Sequence, residues 1–144
     1  MTESTSRLVQ QPFPDAVLAR PLPKLSEVIT DFIARRLPPS SNPLGAAARH
    51  HFAAPGKQLR ARMALAAADS FDVPRISALP WAAAVEVLHN ASLVHDDICD
   101  GDTLRRGHES VWSRFGRDMA LALGDWLIAL SFELAAEAAH KGRT

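Results

Sequence analysis

The chain has one cysteine, Cys99, so no internal disulfide can form and a reducing compartment is the simpler expectation. It has no net charge: sixteen basic residues stand against sixteen acidic ones. A nucleic-acid binder normally carries a basic excess on one face, so that class is not supported. Any anion site must come from a local cluster. Long hydrophobic runs are missing too. The longest, Met119 to Leu130, is interrupted by Gly124 and Asp125 and falls short of the ~20 apolar residues a membrane span needs. The opening MTESTSRLVQQ lacks the apolar core of a secretory signal. A cytoplasmic protein that is not integral to a membrane is expected. Strand signals are equally scarce: the β-branched residues are scattered, and there is no hairpin turn signal and no internal repeat.

What is present describes one soluble, all-α domain. A length of 144 residues suffices for a buried core, and 47% hydrophobic with 22% charged residues is globular composition. Proline concentrates at the start, with Pro12 to Pro14 and Pro21 to Pro23, which predicts an extended tail over 1–23 and a helical bundle over 24–144. Leu25, Val28, Ile29, Phe32, Ile33 and Leu37 recur at helical spacing behind Ser26, a candidate cap, and Pro38 and Pro39 end the run. A short helix is expected from Leu44 to Phe52. An alanine-rich one should cover Lys57 to Phe71, and a longer one should run from the cap Ser77 to Asp100. Gly101 and Gly107 bracket a polar loop, and one last apolar helix is expected from Val111 to His140.

The sharpest feature is Leu93-Val94-His95-Asp96-Asp97-Ile98-Cys99-Asp100. At about 100° per residue, Asp96 and Asp100 stack on one helix face with Asp97 flanking them. Three neighbouring carboxylates repel one another, and a divalent cation relieves that cost. Oxygen ligands on one face suit magnesium, which takes one or two carboxylates and fills its shell with water and phosphate oxygens. The alternative is an exposed acidic helix end. The macrodipole disfavours it by roughly 0.3–1 kcal/mol per acid.

His89 and Ser92 lie on the same face upstream, so His89, Ser92, Asp96 and Asp100 form a polar stripe along an apolar helix. His89 could equally be a hydrogen-bonded core histidine. Arg105 and Arg106 follow the acids; they could neutralise the carboxylates or grip phosphate through their planar forks. Gly56 precedes Lys57 and Arg60, two cations at a predicted helix start, where the macrodipole disfavours cations and the free amides favour an anion.

Gly56-Lys57-x-x-Arg60, then Glu86-x-x-His89-x-x-Ser92-Leu93-x-His95-Asp96-Asp97-x-x-Asp100, then Arg105-Arg106-Gly107, then Leu123-Gly124-Asp125, resemble in order and spacing the trans-isoprenyl diphosphate synthases, also called polyprenyl synthetases. The match spans Pro55 to about Ala135. Pro55 replaces a second glycine of that pattern, and Gln58 stands where a basic residue is common.

The resemblance implies the amino-terminal half of the isoprenoid synthase fold and a magnesium-dependent condensation of isopentenyl diphosphate with an allylic diphosphate. Position by position, Asp96 and Asp100 match the Mg2+ ligands of the first aspartate-rich motif, with Asp97 the adjacent acid. Arg105 matches the allylic diphosphate contact, and Lys57, Arg60, His89 and Arg106 match the isopentenyl diphosphate site. In that family the allylic diphosphate departs with the metal's help, the isopentenyl double bond attacks the resulting cation, and a proton is lost. The residues four and five before the first aspartate, Ser92 and Ala91, are small, which implies a product of C20 or longer.

Family members are about twice this long and carry a second aspartate-rich motif. Here the acids after Asp102 are Glu109, Asp118, Asp125, Glu133 and Glu137, and none is paired with another. A missing C-terminal half, a second protein subunit or a homo-oligomer is therefore expected to complete the site. The alternatives are a non-catalytic accessory subunit of a full-length synthase, and a terpene cyclase fragment. Lys57, Arg60 and the two arginines argue against a cyclase, which needs no second diphosphate pocket.

Overall fold

The computed structural model describes residues 22–143, so the expected tail lies, but for its last two positions, outside the described residues. The described chain is a helical bundle in the order α1 (Leu22–Ala34), α2 (Pro43–Phe52), α3 (Leu59–Ser70), α4 (Arg75–Asp100), a short hairpin of β1 (Leu104–Arg105) and β2 (His108–Glu109), α5 (Val111–Phe115) and α6 (Arg117–Lys141).

α4 is the axis of the bundle. Its chief neighbour is α6, followed by α3 and α1. Ala82, Ala83, Val87, Ala91 and Val94 are buried along it, and small side chains let the surrounding helices approach closely. α6 buries Ala120, Leu123, Leu127, Leu130 and Leu134 on one side. By length and composition α6 could cross a membrane, but this leucine side belongs to the bundle core. α1 contributes Ile29 and Ile33 at the expected spacing, Leu37 is buried just beyond its end, and Val28 is half exposed.

Several boundaries differ from expectation. α1 starts at Leu22, which puts Ser26 inside the helix, where its hydroxyl donates to Gln58 Oε1 at 2.8 Å instead of capping. α4 starts at Arg75 behind Pro74, one turn ahead of the expected cap Ser77. α3 starts at Leu59, because Gln58 adopts a left-handed conformation (φ 50°) that cannot continue a helix. The expected last helix is two helices. Gly116, at φ 93° and ψ 159°, takes a conformation open almost only to glycine and separates α5 from α6.

An unexpected hairpin closes the loop after α4, with Leu104 opposite Glu109 and Arg105 opposite His108. Arg106 (φ 52°) and Gly107 (φ 80°) form its two-residue turn, and both need positive φ.

Gly124 shows why the Leu-Gly-Asp segment has the residue it has. The His95 imidazole of α4 lies where a Gly124 Cβ would be, and its Nε2 is 3.2 Å from Leu121 O. Gly124→Ala must therefore displace the His95 ring from its seat against α6. We expect an overpacking loss of about 1–3 kcal/mol, read as a lower urea midpoint. An unchanged midpoint would mean the two helices are not locked at this point.

Candidate functional site

Three segments assemble the site: the last turns of α4, the hairpin after it, and the connection between α2 and α3. The adjacent acids of α4 face different ways. Asp96 and Asp100 are exposed, whereas Asp97 is only 1% exposed. Arg105 Nε donates to both carboxylate oxygens of Asp97, at 3.0 and 3.1 Å, and its Nη2 donates to Oδ1 as well. That hydrogen bond holds the Arg105 guanidinium above its ordinary pKa. The repulsion expected among three acids is thus relieved internally for Asp97. Asp96 and Asp100 remain one turn apart, with no hydrogen bond or ion pair among the described residues.

Gly101 ends α4 in the left-handed region (φ 70°), and its amide and that of Asp102 both reach Asp97 O. The chain then turns into the hairpin, with Ser110 Oγ and Trp112 Nε1 both donating to Asp102 O. Arg105 points inward to Asp97, and the turn sends Arg106 back over the α2–α3 connection. Its Nη1 donates to Ala54 O at 2.9 Å, and a Cβ on Gly56 would lie 2.6 Å from its Nη2. A side chain at Gly56 would displace the Arg106 guanidinium.

The α2–α3 connection is tied down on its far side. Gln58 is buried, accepting from Ser26 Oγ and donating to Thr30 Oγ1 at 2.8 Å, which fastens the connection to α1. Glu86 of α4, also buried, accepts from Ala61 N at 3.2 Å and caps α3. The first-turn amide expected to serve an anion is therefore occupied by a carboxylate. Lys57 precedes α3 and Arg60 lies in its first turn. Neither pairs with an acid among the described residues.

Two open grooves meet along α4. One, about 630 Å³, is lined by Gly56, Lys57, Arg60, Glu86, His89 and Arg106. The other, about 660 Å³, is lined by Arg60, Leu88, His89, Ser92, His95 and Asp96, with Val85 and Ile128. Arg60 and His89 border both. Asp100 continues the acidic face beyond the second groove. Ala91, expected beside Ser92, is instead fully buried in the core, so Ser92 alone of that pair faces a groove.

The groove is electrostatically unbalanced. Burial, and then Arg60, holds the His89 imidazole below its ordinary pKa, and its ring nitrogens have no hydrogen-bond partner among the described residues. Burial, and then Arg105, depresses Arg106. Crowded, unpaired cations in a concave site describe a place for a polyanion. Among the described residues no three ligating side chains gather as a metal cage. Two exposed carboxylates one helical turn apart fit magnesium, which needs few protein oxygens when phosphate supplies the others.

The sequence missed Glu86 and Gln58 as supports of the α2–α3 connection. It also missed His51, whose Nε2 meets Asn90 Oδ1 at 2.9 Å in the core, while Asn90 Nδ2 donates to Glu86 O. The Ala-rich stretch around His51 held no signal of that contact.

This arrangement of acids, arginines and glycine belongs to a known family of all-α transferases. A family model described as polyprenyl synthetase matches residues 41–143, and the chain is a member of the polyprenyl synthetase, or trans-isoprenyl diphosphate synthase, family. It is similar to a geranylgeranyl diphosphate synthase of Saccharolobus solfataricus, 47% identical over 89 residues, which are 62% of this chain and 27% of that one. It is also similar to a (2E,6E)-farnesyl diphosphate synthase of Mycobacterium tuberculosis, 42% identical over 55% of this chain and 22% of that one.

Among solved structures, a geranylgeranyl pyrophosphate synthetase of Geoglobus acetivorans superposes with a TM-score of 0.73 at 36% identity. It covers 78% of this chain and 37% of its own. A polyprenyl synthase of Caulobacter crescentus, complexed with calcium and isoprenyl diphosphate, gives 0.73 at 37% identity, over 81% of this chain and 37% of its own. The chain spans 22–33% of the length of the curated relatives it matches.

Two outcomes follow. Asp97→Ala strands Arg105 and should cost about 3 kcal/mol in chemical denaturation, whereas Asp96→Ala should change stability by less than about 0.5 kcal/mol. Equal effects would refute the division between a buried and an exposed acid. Burial also lowers the His51 pKa from 6.5 to about 4, while its bond to Asn90 partly opposes the shift. The unfolded chain binds the proton more readily between those values. Stability is therefore full above pH 6.5 and falls as the pH drops toward 4, by up to about 3 kcal/mol. His51→Gln should flatten that slope in pH-dependent unfolding.

Proposed function

We propose that this chain carries the first metal-binding face and both diphosphate grips of a prenyltransferase that condenses isopentenyl diphosphate with an allylic diphosphate. The observation that carries the reading is the pair of joined grooves. Unpaired Lys57, Arg60, Arg106 and His89 line one, and His89, Ser92 and Asp96 of the same helix line the other. Two polyanions side by side need this layout, with one gripped by cations and the other facing carboxylates.

In this reading Lys57, Arg60, His89 and Arg106 hold isopentenyl diphosphate, and Gly56 leaves room for the Arg106 fork. Asp96 and Asp100 hold Mg2+, which when bound would offset charge on the departing diphosphate. Asp97 fixes Arg105 at the edge of that site. Arg105 Nη1, free of protein hydrogen bonds among the described residues, remains to meet the allylic diphosphate. Ser92, small and facing the groove, leaves space for an alkyl chain, in keeping with a C20 or longer product.

The acids beyond Asp102 add no second cluster: Glu137 is held by Arg36 and Lys141, and Asp125 lies near His95. The remaining metal ligands come from further polypeptide, a partner subunit or a second copy. Exposed Met63, Ile76, Trp81, Leu88 and Phe132 supply apolar surface for such an association. The same surface supports the second reading, an accessory subunit that binds a complete synthase and alters its product.

The purified chain should bind magnesium pyrophosphate in calorimetry. Lys57→Ala and Arg60→Ala should each weaken binding by about tenfold, and Asp96→Ala should remove the magnesium dependence. Failure to bind would sink the proposal. In an elongation assay with labelled isopentenyl diphosphate, an active assembly containing Asp96→Ala should make no product. Unchanged product there would establish the accessory role instead.

A further inference from the structure

Behind the α2–α3 connection, on the side away from the anion groove, lies a separate cavity of about 170 Å³. Its walls are mainly apolar, with Ile33 from α1, Leu37 from the α1–α2 connection, Phe52 from α2, and Pro55 and Gly56 from the α2–α3 connection. Its polar lining is almost wholly committed. Gln58 is bonded to Ser26 and Thr30, Asn90 to His51 and Glu86 O, and Glu86 to Ala61 N.

Of the Glu86 carboxylate oxygens only Oε2 is bonded among the described residues, and Arg49 has the most hydrogen-bonding capacity to spare. It makes one hydrogen bond among the described residues, Nη2 to Pro38 O at 3.0 Å, and no carboxylate pairs with it. A guanidinium offers five donors, so most of its capacity is unspent. Arg49 is anchored to the α1–α2 connection and Glu86 to the start of α3, so the cation and the carboxylate belong to different walls.

An apolar chamber with one uncommitted cation selects for a particular chemistry. A dry apolar cavity of about 150 Å³ is known to accept a benzene ring, so a body of about five or six carbons fits this one. An acidic head then meets Arg49 through a charge-assisted hydrogen bond. We propose that this cavity is a second ligand site, which takes a small anionic amphiphile with its apolar body between α1 and α2 and its head on Arg49.

The cavity and the anion groove share Pro55, Gly56, Gln58 and Glu86 as a common wall. A ligand that braces one side of that wall changes how Lys57 and Arg106 are presented on the other, so the site regulates anion affinity. This coupling rests on the anion-groove reading above; the ligand site itself does not.

The probe is 4-methylpentanoate, with 4-methylpentan-1-ol as its neutral counterpart, titrated into the full chain by calorimetry and ligand-observed NMR. The acid should bind saturably. Arg49→Leu should weaken it by about tenfold and leave the alcohol within about twofold. Ala34→Phe, which fills the cavity from α1, should abolish both; Ala53→Phe does the same from the connection should the first variant not fold. No saturable binding to the folded wild type, or equal binding to wild type and both kinds of variant, overturns the site.

A pyrophosphate titration in saturating acid should shift its affinity about fivefold or more. An unchanged affinity overturns the regulation and leaves the ligand site standing. Absence of any pyrophosphate binding overturns the coupling together with the anion groove, while the cavity is still decided by its own titration.

Discussion

The buried pair of Asp97 and Arg105 is the constraint from which the rest of the site is built. An ionised carboxylate that is 1% exposed is costly unless its oxygens are satisfied, and Arg105 reaches both of them. Satisfying it requires the chain after α4 to double back within eight residues. Gly101 permits that reversal, and the hairpin turn completes it. Once Arg105 is directed inward, the next residue is carried to the turn and must aim elsewhere. Arg106 accepts a left-handed backbone and lands on Ala54 O, against Gly56. One buried charge thus sets the position of a guanidinium on a segment some fifty residues earlier in the chain.

That arrangement makes sense of charges that would otherwise be destabilising. Burial and Arg105 lower the Arg106 pKa, though the guanidinium stays charged, while burial and Arg60 lower that of His89 and so favour its neutral imidazole. Nothing in the fold gains from bringing Lys57, Arg60 and Arg106 together. The bundle could satisfy them with acids, as it does for Arg36 with Glu137 and Arg75 with Asp69, but in the groove it does not. Glu86 is the one acid lining that groove, and with Gln58 it is held by hydrogen bonds to α3 and α1, so the cations there outnumber the acids on a braced wall.

Much of this was legible in the residues themselves. The all-α architecture follows from helical spacing and from Gly and Pro punctuation, both local signals. The stacking of Asp96 over Asp100 follows from helix geometry alone. Which acid turns inward does not, because it depends on where α6 and the hairpin pack around α4. The hairpin went unread because Arg106 is a poor indicator of a turn that needs positive φ twice; only Gly107 pointed to it. Ser26 and Ser77 were natural caps by type, yet α1 and α4 begin earlier, and Ser26 serves Gln58 thirty-two residues away. Gly116 gave no warning that it would split an apolar run, since a glycine can also lie inside a helix, as Gly124 does. The ties from Gln58 to α1, from Glu86 to α3 and from His51 to Asn90 are contacts over long separation, invisible to any local pattern.

α4 shows how one helix serves packing and chemistry without conflict. At about 100° per residue, consecutive positions fall on different faces, so Asp96 and Asp97 can have opposite fates despite adjacency. His95, one step further round, does some of each: it lines the second groove and fills the space left by Gly124 against α6. The face that carries His89, Ser92, Asp96 and Asp100 is the one left uncovered by α1, α3 and α6. If Asp97 were the exposed acid and Asp96 the buried one, the stripe would be broken between Ser92 and Asp100, and Arg105 would have to cross α4 to find its partner. The order of residues in the acidic motif is therefore a packing requirement as much as a chemical one. Of the three acids in series, Asp97 holds the loop that carries Arg105 and Arg106, which leaves Asp96 and Asp100 on the open face.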